Sequence, residues 1–169
     1  MIIQISDLPG DGLTIDEPGA LGAVFEDRSW RLDRVQLRVA RDGADVVVEG
    51  DVEATVPQMC SRCLETLPVR VHASVDLRFV PRPSIPDTIE LSGDDFETDF
   101  YADDQLDLGA LVRTETTLAL PMKALCQPGC RGLCPRCGAN RNLTDCACAA
   151  APADPRFAAL RGLAVRREH

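Results

Sequence analysis

The chain has eight cysteines. Six crowd into residues 126–148 with the spacing C-x3-C-x3-C-x2-C-x8-C-x-C, and two stand far upstream in Cys60-Ser61-Arg62-Cys63. Thiolates grouped this way are metal ligands in the first instance. A C-x2-C turn holds two sulfurs near the separation of about 3.7 Å that tetrahedral Zn–S bonds of about 2.3 Å require. Backbone N–H groups beside such a turn stabilise the thiolate charge. The stretch Cys134-Pro135-Arg136-Cys137-Gly138 has this form, with proline stiffening the turn and glycine free to take a positive φ after the second ligand. Cys146-Ala147-Cys148 can complete a four-thiolate site after an excursion through the turn formers Asn140, Asn142 and Thr144.

Cys126 and Cys130 flank the turn sequence Gln127-Pro128-Gly129. That pair is two ligands short of a closed structural site, as is Cys60 with Cys63. Joining the pairs gives a second site, Cys60, Cys63, Cys126 and Cys130, which would clamp the end of a strand pair to the C-terminal segment. Other partitions, including shared ligands, also satisfy the count. The expected cofactor is zinc, as two ions. Disulfides fit less well, because the N-terminus does not resemble a signal peptide and cytosolic thiols stay reduced. The ferredoxin runs of an iron–sulfur protein are missing. A redox C-x-x-C belongs at a helix start in a βαβ unit, whereas the flanks here are β-like.

Catalysis finds little support. No nucleophile elbow, phosphate-binding loop or dinucleotide fingerprint occurs. His72 falls in the outward phase of a strand, and His169 is the other histidine. Asp94, Asp95, Asp103 and Asp104 belong to an acidic run rather than a framed pocket, and a four-cysteine zinc site has no open position for substrate. The reading is therefore not an enzyme, with no small-molecule substrate. No apolar run reaches the length of a membrane span, so a membrane partner is not expected.

Charge is divided along the chain. Residues 1–120 hold 10 basic against 24 acidic side chains, and residues 121–169 hold 8 against 3, so the net charge of −9 divides into −14 and +5. Lys123, Arg131, Arg136 and Arg141 fall among the cysteines. They are the candidate RNA-binding residues, on a basic module beside an acidic body. They would equally offset thiolate charge, since a four-thiolate zinc site carries about −2.

The elements that must position these groups read as follows. Ile2, Ile3 and Ile5 open a short strand that meets the breaker Pro9-Gly10-Asp11-Gly12. Trp30 and Leu32, then Val35, Leu37 and Val39, alternate with polar residues. Asp42-Gly43 signals a hairpin, after which Val46, Val48, Val52, Ala54 and Val56 continue the period, with Gly50 suggesting a bulge or bend. Cys60 and Cys63 occupy the next turn, and Leu67 through Phe79 alternate again. Pro81, Pro83 and Pro86 end this meander. Residues 87–107 hold nine acidic side chains and no basic one, expected as a solvated loop or as a mimic of nucleic acid that attracts a basic partner. Asp107 caps a predicted helix using Leu108, Leu111, Val112, Glu115 and Leu118. Asp154-Pro155 opens a second, basic amphipathic helix lined by Phe157, Leu160 and Leu163. The expected fold is α+β: an antiparallel β-sheet or partial barrel, a covering helix and a C-terminal cysteine-rich zinc module. Residues 1–120 form the acidic body, 121–150 the metal module tied to it through Cys60 and Cys63, and 151–169 the terminal helix.

Five separated motifs, in order, resemble the YceD family of large ribosomal RNA subunit accumulation proteins. They are Cys60-Ser61-Arg62-Cys63-Leu64, Asp107-Leu108-Gly109, Leu120 to Cys126, Cys130 to Asn140, and Asp154 to Leu160. The resemblance implies a bacterial cytoplasmic, non-enzymatic factor needed for accumulation of 23S ribosomal RNA. Its partner would be large-subunit ribosomal RNA, a basic ribosomal protein, or both. Some members lack the Cys134 to Cys148 part while keeping counterparts of the other four ligands, which implies the partition above. A zinc- or redox-responsive regulator is the alternative function.

Overall fold

The computed structural model describes residues 1–82, 98–148 and 156. Three long strands form its centre: β3 (Arg31–Asp42), β4 (Asp45–Met59) and β5 (Thr66–Pro81). Before them come β1 (Ile2–Gln4), β2 (Leu13–Ile15) and a 3₁₀ turn at Pro18–Leu21; after them come β6 (Thr98–Tyr101), β7 (Gln105–Asp107) and the helix α1 (Leu108–Leu118). The strand order in the main sheet is β2-β3-β4-β5-β6, while β1 and β7 pair separately.

The meander follows its alternation. Val35, Leu37, Val39, Val46, Val48, Val52, Ala73, Val75 and Phe79 are buried on one face, against Leu108, Leu111 and Val112 of α1. Each fully buried aliphatic side chain of this kind contributes roughly 1.5–3 kcal/mol relative to exposure. The other face carries Arg38 opposite Glu49, Arg34 opposite Glu53, and Glu53 in turn opposite His72. Gly43 turns the first hairpin at φ 68° as the first of two central residues, the place where a two-residue hairpin favours glycine.

Several expectations are corrected. The sheet is mixed, because β6 pairs with β5 in parallel from Arg78–Thr98 to Pro81–Tyr101. A parallel neighbour needs a long connection, and 16 residues separate the end of β5 from the start of β6 in the sequence. Gly50 is not a bulge: the β3–β4 register runs unbroken through Leu37–Gly50, and the irregularity lies between Leu32 and Arg34. Glycine is required at position 50 by close approach. Its φ is 143°, and an added Cβ would lie 1.9 Å from the Gln36 carbonyl oxygen. In α1, Asp107 is the cap as expected, accepting from the N–H groups of Gly109 (3.0 Å) and Ala110 (3.1 Å). Its inner stripe ends on buried Thr116, while Leu118 is 73% exposed.

Part of the acidic run is ordered structure. Asp103 and Asp104, at φ 54° and 58°, form the two-residue turn between β6 and β7, closed by Gln105 N–H to the Ala102 carbonyl at 3.0 Å. Asp104 also accepts from Ser6 N–H. The two residues therefore make a turn through their backbone, and the Asp104 carboxylate ties that turn to Ser6. Asp94 and Asp95 lie outside the described residues, as does the expected terminal helix apart from Arg156.

Candidate metal centres

The first centre is built on the β4–β5 hairpin. Where β4 ends, Cys60 N–H donates to the Glu65 carbonyl (2.9 Å) and Leu64 N–H donates back to the Cys60 carbonyl (3.0 Å), which closes a tight knuckle. Leu64 adopts φ 63° to make that closure. Opposite it, the segment after α1 is anchored by Ser61, whose N–H and hydroxyl both donate to the Ala124 carbonyl at 2.9 and 3.1 Å. Arg62 fixes the next stretch: its guanidinium donates to the Cys130 carbonyl (2.9 Å), and its own carbonyl accepts from Leu133 N–H (3.0 Å). These bonds bring Cys126 and Cys130 over the knuckle. Cys60 and Cys130 sulfurs lie 3.8 Å apart, and those of Cys63 and Cys126 lie 3.6 Å apart.

The second centre repeats the knuckle locally. Cys134 N–H donates to the Ala139 carbonyl (2.8 Å), Gly138 N–H donates to the Cys134 carbonyl (2.9 Å), and Gly138 has φ 73°. The bridge between Leu133 and Asn140 holds its two ends together. Cys146 and Cys148 return to this turn. The eight cysteines thus fall into two groups, Cys60, Cys63, Cys126, Cys130 and Cys134, Cys137, Cys146, Cys148, with the sulfurs of each group all within 4.8 Å of one another.

Electrostatics within each group are uneven. The N–H groups of Cys63, Arg62 and Cys126 point at Cys60 and lower its pKa to about 6. Cys134 is lowered to about 6 in the same way, by the N–H groups of Cys137 and Arg136. Cys126 is exposed as a residue, yet its sulfur sits against three others; desolvation and those neighbours push it up to about 12. Cys148 is raised to about 12 by Cys137 first and desolvation second. Crowded thiols resist losing all their protons unless a cation shares the space. In the first centre the separations of 3.8 and 3.6 Å match the value of about 3.7 Å for tetrahedral zinc, and in the second four thiols gather within 4.8 Å, so both donor sets fit a divalent ion that prefers four thiolates. Such an ion would supply a structural cross-link.

The basic residues singled out in the sequence are all exposed on this module. Arg131 is engaged with Asp145 at 2.5 Å, whereas Lys123, Arg136 and Arg141 make no ion pair among the described residues. Arg141 N–H to the Gly132 carbonyl, at 2.9 Å, sets Arg141 beside the segment that carries Arg131. Sequence reasoning treated Asn142 only as a turn former. In the structure its amide nitrogen lies 3.2 Å from the Cys130 sulfur, a contact between the two centres that spacing could not signal.

Fold and site together define an α+β protein carrying two four-cysteine clusters, one of them spanning the body and the C-terminal segment. The chain belongs to the YceD family: the profile described as "Large ribosomal RNA subunit accumulation protein YceD" matches residues 48–164. An uncharacterized protein of Mycobacterium tuberculosis is 32% identical over 74% of this chain and 59% of its own length. A maize protein named "Large ribosomal RNA subunit accumulation protein YCED homolog 1, chloroplastic" is 28% identical over 86% of the chain and 56% of its own length. Its Arabidopsis thaliana namesake is 25% identical over 77% and 48%. The chain therefore spans about half to three-fifths of the length of these curated relatives. No solved structure matches it. No helix among the described residues is long and apolar enough to cross a membrane.

Proposed function

We propose that this protein is a non-enzymatic, bacterial cytoplasmic factor for accumulation of 23S ribosomal RNA, acting by direct contact with large-subunit ribosomal RNA. Family membership and the names of the plant relatives support the role. The observation that carries the contact is the exposed basic set on the cysteine module, in which Lys123, Arg136 and Arg141 are not spent on carboxylates among the described residues. Two zinc ions, held by Cys60, Cys63, Cys126, Cys130 and by Cys134, Cys137, Cys146, Cys148, make that module rigid. Residues 1–120 serve as the body and 121–150 as the module, with 151–169 adding basic charge. Phosphate contacts of this kind weaken steeply with salt. Arg136→Glu should fold normally, bind a large-subunit ribosomal RNA fragment more weakly, and flatten the salt dependence. Parent-like binding across the salt series would refute the RNA contact.

A second reading has its own observation. Asp99 on β6 and Glu115 on α1 line one hollow together with Phe79, Tyr101 and Leu111. Burial first, and the Asp99 charge second, hold the Glu115 carboxyl above its usual range. A basic ribosomal protein would relieve both carboxylates, and competition between such a protein and RNA distinguishes the two readings. The regulator alternative requires metal release under mild oxidant. Cys60, Cys63 and Cys130 are buried, which disfavours it for the first centre.

A further inference from the structure

The two centres are not independent in space. Asn142 belongs to the loop that the second centre closes, between Cys137 and Cys146, yet its side chain is spent on the first. Its Nδ2 group lies 3.2 Å from Cys130 Sγ and 2.9 Å from Asn140 Oδ1. Its Oδ1 accepts from Arg131 N–H at 2.8 Å and from Gln127 Nε2 at 3.4 Å. Both ends of one amide are thus bound to the segment Cys126–Arg131 or to the turn that aims them. The turn is itself fixed by Asn142 N–H on Asn140 Oδ1 (3.0 Å), and by the N–H groups of Leu143 and Thr144 on the Asn140 carbonyl (3.0 Å each). Cys130 is 3% exposed, so water has little room to replace the amide at its sulfur.

We propose that Asn142 is a positioning residue that couples the two centres: metal at the second fixes the loop between Cys137 and Cys146, and that loop lends its Asn142 N–H to a thiolate of the first. This rests on the two-zinc reading above. Hydrogen bonds to a ligating atom tune metal affinity, and their loss costs about 10- to 100-fold. The coupling is reciprocal, since whatever filling one site does to the affinity of the other must be returned in equal measure. The first centre therefore holds its metal fully only when the second is occupied.

The test uses the full chain, loaded with zinc for release to a competing chelator, or with cadmium for NMR, in which each centre gives its own resonance. Asn142→Asp keeps the acceptor for Arg131 N–H and removes the donor to Cys130. It should speed zinc release from the first centre by about 10- to 100-fold and shift that centre's cadmium resonance, leaving the other resonance in place. Cys137→Ser, which keeps Asn142 but opens the second centre, should weaken the first by a similar factor. Adding Asn142→Asp to it should then change the first centre no further. Parent-rate release in Asn142→Asp, or a first centre unaffected by Cys137→Ser, overturns the coupling while leaving two zinc sites standing. A protein that takes up no metal at all overturns the two-zinc reading beneath it.

Discussion

The two knuckles are built alike and used differently. In each, the first cysteine's N–H bonds a carbonyl five residues on, and the residue after the second cysteine adopts a left-handed conformation and bonds back. At Cys60–Glu65 that residue is Leu64, and the ligand pair that completes the site comes from Cys126 and Cys130, beyond β5, β6, β7 and α1. At Cys134–Ala139 it is Gly138, and the completing pair follows within the same short segment. The first cluster has three buried cysteines and packs with Leu67 and Leu125; in the second only Cys134 is buried. With metal bound as proposed, the same local geometry is a long-range staple in one place and a self-contained turn in the other. Closing a long loop removes more freedom from the unfolded chain than closing a short one, so the staple bears on the stability of the whole fold.

The largest effect that tests this contrast is on global stability. Cys63→Ser should lower the thermal midpoint of the sheet by roughly 10 °C or more, because a ligand is lost from the site that ties it to the C-terminal segment. Cys137→Ser should lower the midpoint clearly less, because it weakens the hold of the first centre on its metal without removing one of that centre's ligands. Equal losses in the two variants, followed by circular dichroism, would erase the distinction.

A smaller effect sharpens it at the backbone. An added Cβ at Gly138 meets nothing within 4 Å, so Gly138→Leu suffers only the left-handed penalty of about 1–2 kcal/mol. It should appear as faster zinc release from the second centre. Leu64 already carries that penalty and is 55% exposed, so Leu64→Gly should leave the first centre at least as tight. A looser first centre in Leu64→Gly would mean that the leucine side chain is needed there.

The meander and the grouping of the cysteines into two sets of four were legible in the sequence for physical reasons. A sheet with one wet face imposes strict alternation, visible from Val35 to Phe79, and a zinc site must find four ligands for every pair left short. The bulge was written there too, as a slip of phase between Leu32 and Val35. Gly50 attracted attention instead, because glycine marks bulges and close approaches alike. The parallel strand β6 is four residues long and sits inside an acidic run, so neither length nor pattern separated it from loop. Asp103 and Asp104 looked like a charge cluster because their turn conformation is invisible in composition. Thr116 displaced Leu118 from the helix stripe, since spacing from Leu108 and Val112 selects position 116 whatever its polarity. Asn142 acts across space on Cys130, and no local signal could carry that.

The smallest expected effect lies at the end of the sheet away from both centres. Glu115 is held protonated above its usual range by burial and by Asp99, so its ionised form costs stability at neutral pH. That cost is present above the raised pKa and is lost as pH falls through it. Glu115→Gln should therefore raise the thermal midpoint slightly at neutral pH, and the difference should vanish in mild acid. It should leave zinc content unchanged, which makes it a control for the cysteine variants.

The most direct test of the staple is zinc per chain by elemental analysis, on the parent and on Cys60→Ser/Cys63→Ser, both purified without added metal. Two ions falling to one is the predicted result, with the remaining ion on Cys134, Cys137, Cys146 and Cys148. One ion in both proteins would confine the metal to the C-terminal turn and contradict the account.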